Sequence, residues 1–166
     1  MHNRMHEVLL TRFEAELDLL YQIEKQAGRT HRRFKRMLNE HGALETARRL
    51  IGKRNTQGLQ ELKDAGLLEM SIEAIVLKPE YDELFADDVF VCMRQRAQAK
   101  LDALRQGRDL PDEEAPAALK KLRAYARSKG TTLDKLHRQA QANGISTADF
   151  LEQLIAESSQ REAANL

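Results

Sequence analysis

The residues of this chain best equipped for chemistry are cations at helical spacing. Between Gly28 and Arg54 stand nine basic residues and only two acids. Arg32, Lys35 and Arg36 fall three and four residues apart, which places them on one helical face, and Arg29 and Arg33 flank it. Guanidinium and ammonium groups so arranged can meet successive phosphates, with counterion release as the driving force. A second set, Lys120, Lys121, Arg123, Lys135 and Arg138, lies in a stretch where seven basic residues accompany the one acid Asp134. A purely structural role for the first block is a solvated face paired with the acids that follow it. Nine acids and two lysines stand between Asn55 and Cys92.

Other residue types give weaker signals. The five histidines, His2, His6, His31, His41 and His137, form no HExxH motif, and the i, i+4 pair His2 and His6 falls at a terminus expected to fray, so no metal is expected. His41, between Glu40 and Glu45, could be a general base oriented by Glu45; as structure it is the last residue on an apolar face. Cys92 is the single cysteine, which excludes an intramolecular disulfide, and among Phe90, Val91 and Met93 it reads as a buried small hydrophobe. Glu80, Asp82, Glu83, Asp87 and Asp88 offer oxygen ligands for Mg²⁺, the basis of a remote hydrolase reading. Asp87 and Asp88 suit a helix N-terminus equally well, where the dipole favours negative charge. There is no GxGxxG or P-loop and no strand to present one, so no cofactor and no enzyme is expected.

These residues need helices to carry them. The chain has 166 residues, 42% hydrophobic and 5% aromatic, with 8 Gly and 3 Pro, and it is rich in strong helix formers. That composition predicts an all-α fold with a real core. Periodicity predicts a first helix from about His2 to Gln26, with the stripe Val8, Leu9, Phe13, Leu17, Leu20 and Ile23, ended by Gly28. Thr30 caps a second helix with Phe34, Met37, Leu38 and His41 on one face, closed by Gly42. Shorter helices carry Leu44 to Ile51 and Leu59 to Leu62; Ser71 caps a fifth before Pro79, and Asp87 caps a sixth that ends near Gly107. Residues 1–106 thus read as a multi-helix orthogonal bundle. GRDLPDEEAPAA, with two prolines and four acids, marks a linker over 107–116.

A fourteen-residue repeat follows, aligning KLRAYARSKGTTLDKL from Lys121 with KLHRQAQANGISTADF from Lys135. Each copy is a helix ended by Gly130 or Gly144, with Thr132 or Ser146 as the next cap. Residues 117–158 should therefore form a small unit of three helices, with 159–166 a frayed tail. Ala126, Gly130 and Leu136, and again Ala140, Gly144 and Phe150, also meet the spacing of a helix-turn-helix, whose first copy presents Lys135, His137, Arg138 and Gln139 to a groove. The plainer alternative is a docking unit with Phe150, Leu151, Leu154 and Ile155 as its apolar stripe.

RFKRMLNEHGALETARRLI and GLQELKDAGLLEMSIEAIVLKPEYDELF, spanning Arg33 to Phe85, resemble a bacterial helical domain family of unknown function. Its pattern runs close to RF..M..EHGG.ETAK.L.....GF..L...GRLDLTVEALVL.P.W..LF; Leu67 and Glu69 stand where that pattern has Arg and Asp. The resemblance implies a module found alone or beside restriction-like and nuclease-like domains, and it does not reach the C-terminal unit.

The combined expectation is a non-catalytic nucleic-acid-associated accessory protein, set by the resemblance in a bacterial defence system or mobile element. The alternative is a protein-binding adaptor, subunit or homo-oligomer that uses the C-terminal apolar stripe. The most apolar stretch, Leu67 to Leu77, is broken by Glu69 and Glu73 and is too short to span a bilayer. The start MHNRMHEVLL has no signal-peptide apolar region, so a cytoplasmic location and no membrane partner are expected.

Overall fold

The computed structural model describes residues 2–28, 31–54, 57–86, 90–108 and 110–165. Among them stand nine α-helices, two 3-10 turns at Leu68–Met70 and Pro79–Tyr81, and no strand, so the protein is all-α. The helices are α1 (His2–Gln26), α2 (Arg32–His41), α3 (Ala43–Gly52), α4 (Gln57–Asp64), α5 (Ile72–Val76), α6 (Val91–Arg105), α7 (Ala117–Lys129), α8 (Leu133–Ala142) and α9 (Thr147–Ala164).

Local chemistry sets several of these boundaries. The Ser71 hydroxyl accepts the Ala74 N–H at 3.1 Å and opens α5. The repeat expected at the C-terminus is present as two equivalent corners, left-handed at Gly130 (φ 65°) and Gly144 (φ 69°). After each glycine a hydroxyl caps the next helix: Thr132 accepts from Lys135 N–H at 3.2 Å and Ser146 from Asp149 N–H at 3.1 Å. Thr30 and Asp87, expected as caps, lie outside the described residues; His31 and Phe90 hold the N-cap positions of α2 and α6 without a side-chain cap. The tail expected to fray is helical as far as Ala164, in keeping with its Ala, Glu, Gln and Arg content, although its side chains beyond Ile155 are mostly exposed.

One hydrophobic core joins the chain on both sides of the 107–116 segment: Leu10, Phe13 and Leu17 of α1, Leu44 and Ile51 of α3 and Met93 of α6 pack in the same cluster as Leu119, Leu122, Leu133, Leu136 and Leu151. Helix α8 touches α1, α3, α7 and α9. On α1 the buried stripe is turned from the expected one. Leu10 is fully buried and Val8 is 59% exposed, because the inward line runs through His6, Leu10, Phe13, Leu17, Leu20 and Glu24, ending in polar residues at both ends. A similar shift exposes Cys92: Phe90, Met93, Ala97 and Leu101 take the inward side at steps of three and four residues.

The corner between α2 and α3 depends on Gly42. Its φ is +85°, and a Cβ there would sit 2.4 Å from Asp134 Oδ2, so only glycine lets α8 approach this closely.

Candidate functional site

The approach of α8 organises the start of α3. Asp134, 2% exposed, accepts the N–H groups of Leu44 at 3.0 Å and Glu45 at 2.9 Å, supplying from another helix the cap that Gly42 lacks. Burial pushes its carboxyl up to about 7, against the opposing pull of those two N–H bonds. Glu45 is thereby fixed at its backbone, and its Oε1 accepts from Arg49 Nε and from Arg123 Nε, each at 2.6 Å. Two guanidinium groups from α3 and α7 thus share one buried carboxylate oxygen.

Three residues after Glu45, Arg48 is held by Glu113 in a two-bond fork, Nη1 to Oε2 at 3.1 Å and Nη2 to Oε1 at 2.7 Å, with the Arg48 side chain 2% exposed. The Glu113 N–H also bonds Gly52 O at 2.9 Å. Asp112 accepts the Arg54 N–H, and Arg96 donates to Pro111 O. The acidic segment read as a linker is therefore a strap docked on the end of α3. Nearby, the buried Lys100 ammonium lies 2.8 Å from Glu73 and donates to Leu50 O at 3.1 Å.

These groups surround an open cleft of about 1510 Å³ between α2, α3, α4, the strap and α7. Nine cationic and six anionic side chains line it, with two histidines. Arg33, Arg36, Lys53, Arg54 and Arg127 are exposed around its rim, whereas Arg48, Arg49, Lys100 and Arg123 are recessed. His41 also lines it. Burial and Arg49 hold the His41 pKa below its ordinary value, outweighing Glu45 and Glu40. Its Nε2 lies 4.0 Å from Glu40; Glu45 is committed to the two arginines, so the alternative of a Glu45-oriented general base is not assembled.

The structure divides the expected phosphate contacts among different surroundings. Arg33, Arg36 and Arg123 line the cleft. Arg32, Lys121 and Lys135 are exposed outside its lining. Lys35 turns back to Asp18 at 3.0 Å and over the Tyr21 ring, and Arg138 reaches Glu14 at 2.6 Å and Glu7 at 3.7 Å, both on α1. Lys120 pairs with Glu114 at 3.0 Å. Arg29, Asp87 and Asp88 lie outside the described residues. Several ion pairs of the two blocks lead elsewhere in the molecule. Lys35, Arg36, Arg48 and Arg49 pair with Asp18, Glu40, Glu113 and Glu45, while Glu73, Glu80 and Asp82 pair with Lys100, Arg12 and Arg94.

The remaining expectations are corrected by burial. Helix α8 is packed on several sides, and His137 is fully buried, its Nε2 2.9 Å from His6 Nε2 and its Nδ1 2.7 Å from Thr147 Oγ1, so it cannot reach into a groove as a recognition helix does. His6, expected at a frayed end, is 7% exposed. The apolar stripe is largely spent inside the molecule: Phe150 and Leu151 belong to the core, Leu154 packs against it, and Ile155 is 40% exposed. Among the described residues no group of three or more His, Cys, Asp or Glu is placed to hold a metal ion, and no helix is long and apolar enough to cross a membrane.

Sequence reasoning missed Arg48, Arg49, Lys53, Arg54, Lys100 and Arg127 as cations of the site. The signal was available in the i, i+4 pair Arg123/Arg127, which aims two cations of α7 to one side; Lys53 follows the end of α3 in extended backbone. Fold and site together define an all-α protein with a cation-lined cleft. The chain matches no protein-family model, no curated protein and no solved structure.

Proposed function

We propose that this chain is a non-catalytic nucleic-acid-associated accessory protein that receives the phosphate backbone in the cleft between α2, α3 and α7. The observation that supports this most is the excess of cations over acids in the lining, with exposed Arg33, Arg36, Lys53, Arg54 and Arg127 around the rim. Several such cations can displace condensed counterions together, which gives affinity without base recognition. The setting, a bacterial defence system or mobile element in the cytoplasm, comes from the family resemblance and the single cysteine. Fluorescence anisotropy of labelled duplex DNA and single-stranded RNA at several salt concentrations tests the proposal. Binding that weakens steeply with salt is expected; no binding at low salt overturns it.

A second reading, a protein-binding or self-associating role, draws on α1 rather than the C-terminal stripe. Met5, Val8 and Leu19 are 54%, 59% and 54% exposed, large apolar side chains on one helix. Light scattering checks it: a stable monomer argues against self-association.

A further inference from the structure

Within the cleft, Arg49 and Arg123 differ from the rim cations. Their side chains are 35% and 22% exposed, recessed but open to the cleft. Each donates its Nε to the same oxygen, Glu45 Oε1, at 2.6 Å. Among the described residues neither guanidinium has another hydrogen-bond partner for its two Nη groups. Glu45 is 2% exposed and held at its backbone by Asp134, so it fixes the orientation of both planar groups from behind and does not itself line the cleft. The result is two guanidinium edges, brought together by one carboxylate, carrying more positive charge than that carboxylate cancels. The other recessed cations are differently placed: Arg48 is closed by Glu113, and Lys100 by Glu73.

From this geometry we infer that Arg49 and Arg123 form a seat for a phosphate monoester, either the terminal phosphate of a nucleic-acid strand or that of a small phosphorylated compound. This deepens, and for the strand end rests on, the nucleic-acid role proposed above. A terminal phosphate offers three free oxygens and close to two negative charges at pH 7, against two oxygens and one charge for an internal diester. Two planar donors match the former, since each can take a pair of oxygens in charge-assisted bonds. Recession favours an end group as well, because a chain terminus reaches past the rim more readily than the middle of a backbone.

The test compares a 3′-labelled single-stranded oligonucleotide carrying a 5′-phosphate with the same strand ending in a 5′-hydroxyl, by anisotropy on the full-length protein. The phosphorylated strand is expected to bind on the order of tenfold more tightly. In Arg49→Lys and in Arg123→Lys, which keep the charge and lose the fork, that ratio falls towards one; circular dichroism confirms that each variant is folded. A parallel arm measures the Tm of the wild-type protein in inorganic phosphate against chloride at equal ionic strength. Equal affinity for both strands with no Tm gain overturns the seat while leaving the nucleic-acid role standing. A Tm gain without a strand preference supports the seat and assigns it to a small phosphorylated compound. If neither strand binds, the nucleic-acid role fails, and the Tm arm decides the seat alone: a gain supports it and its absence overturns it.

Discussion

The cleft and the junction of α1 with its neighbours use the same residue types to opposite ends. Along α1, each acid meets a partner from elsewhere: Glu14 and Glu7 take Arg138, Asp18 takes Lys35, and Glu16 takes both Lys78 at 2.7 Å and the Tyr81 hydroxyl at 2.6 Å. Burial raises the Glu16 pKa, but those bonds outweigh it and leave the carboxyl below its ordinary value. Around the cleft α2, α3 and α7 all present cations, and the acids of the lining and Glu45 offset only part of their charge. For Lys35 and Arg138, availability to a partner is therefore decided by the helix opposite and not by the charge of their own segment.

Breaking the cleft floor has the largest expected effect. Lys100→Met strands Glu73 in a buried site, and the protein should lose about 3 to 5 kcal/mol in urea denaturation. At the link between α8 and the cleft, Asp134 makes stability depend on pH. Its folded-state pKa lies near 7, above its ordinary value of 3.8, so the folded protein holds this proton more tightly and the group's contribution declines as pH rises from about 4 to 7. The stability of wild type relative to Asp134→Asn should fall over that window by on the order of 3 kcal/mol. A difference that stays flat from pH 4.5 to 8 contradicts the assignment. At the junction, Arg138→Ala breaks partly solvated pairs and should cost about 1 kcal/mol or less, read as a small drop in Tm. On the rim, Arg33→Gln should leave stability within about 0.5 kcal/mol while lowering the salt slope of nucleic-acid binding by about one unit.

Much of the fold was legible because short-range rules wrote it. The helical span of α1, the Ser71 cap and the paired Gly130/Thr132 and Gly144/Ser146 corners follow from residue types within one turn of each other. What the sequence hid was long-range. The capping of α3 by Asp134, some ninety residues away in sequence, leaves no local trace. Nor does the inward face of α1, where polar His6 and Glu24 replace the apolar residues that periodicity seeks. The site was half legible for the same reason: Arg33, Arg36 and Arg123 were chosen on charge, and so were Lys35 and Arg138, whose acids on α1 could be matched only in three dimensions.

The most direct measurement sets two variants side by side: Arg33→Gln/Arg36→Gln/Lys53→Gln on the cleft rim and Lys35→Gln/Arg138→Gln at the α1 junction. Each is titrated into labelled nucleic acid across a series of salt concentrations. The rim variant should bind more weakly and with a salt slope shallower by about three units, while the junction variant follows wild type. Equal losses in both, or a loss confined to the junction variant, would contradict the assignment of the phosphate-binding surface to the cleft.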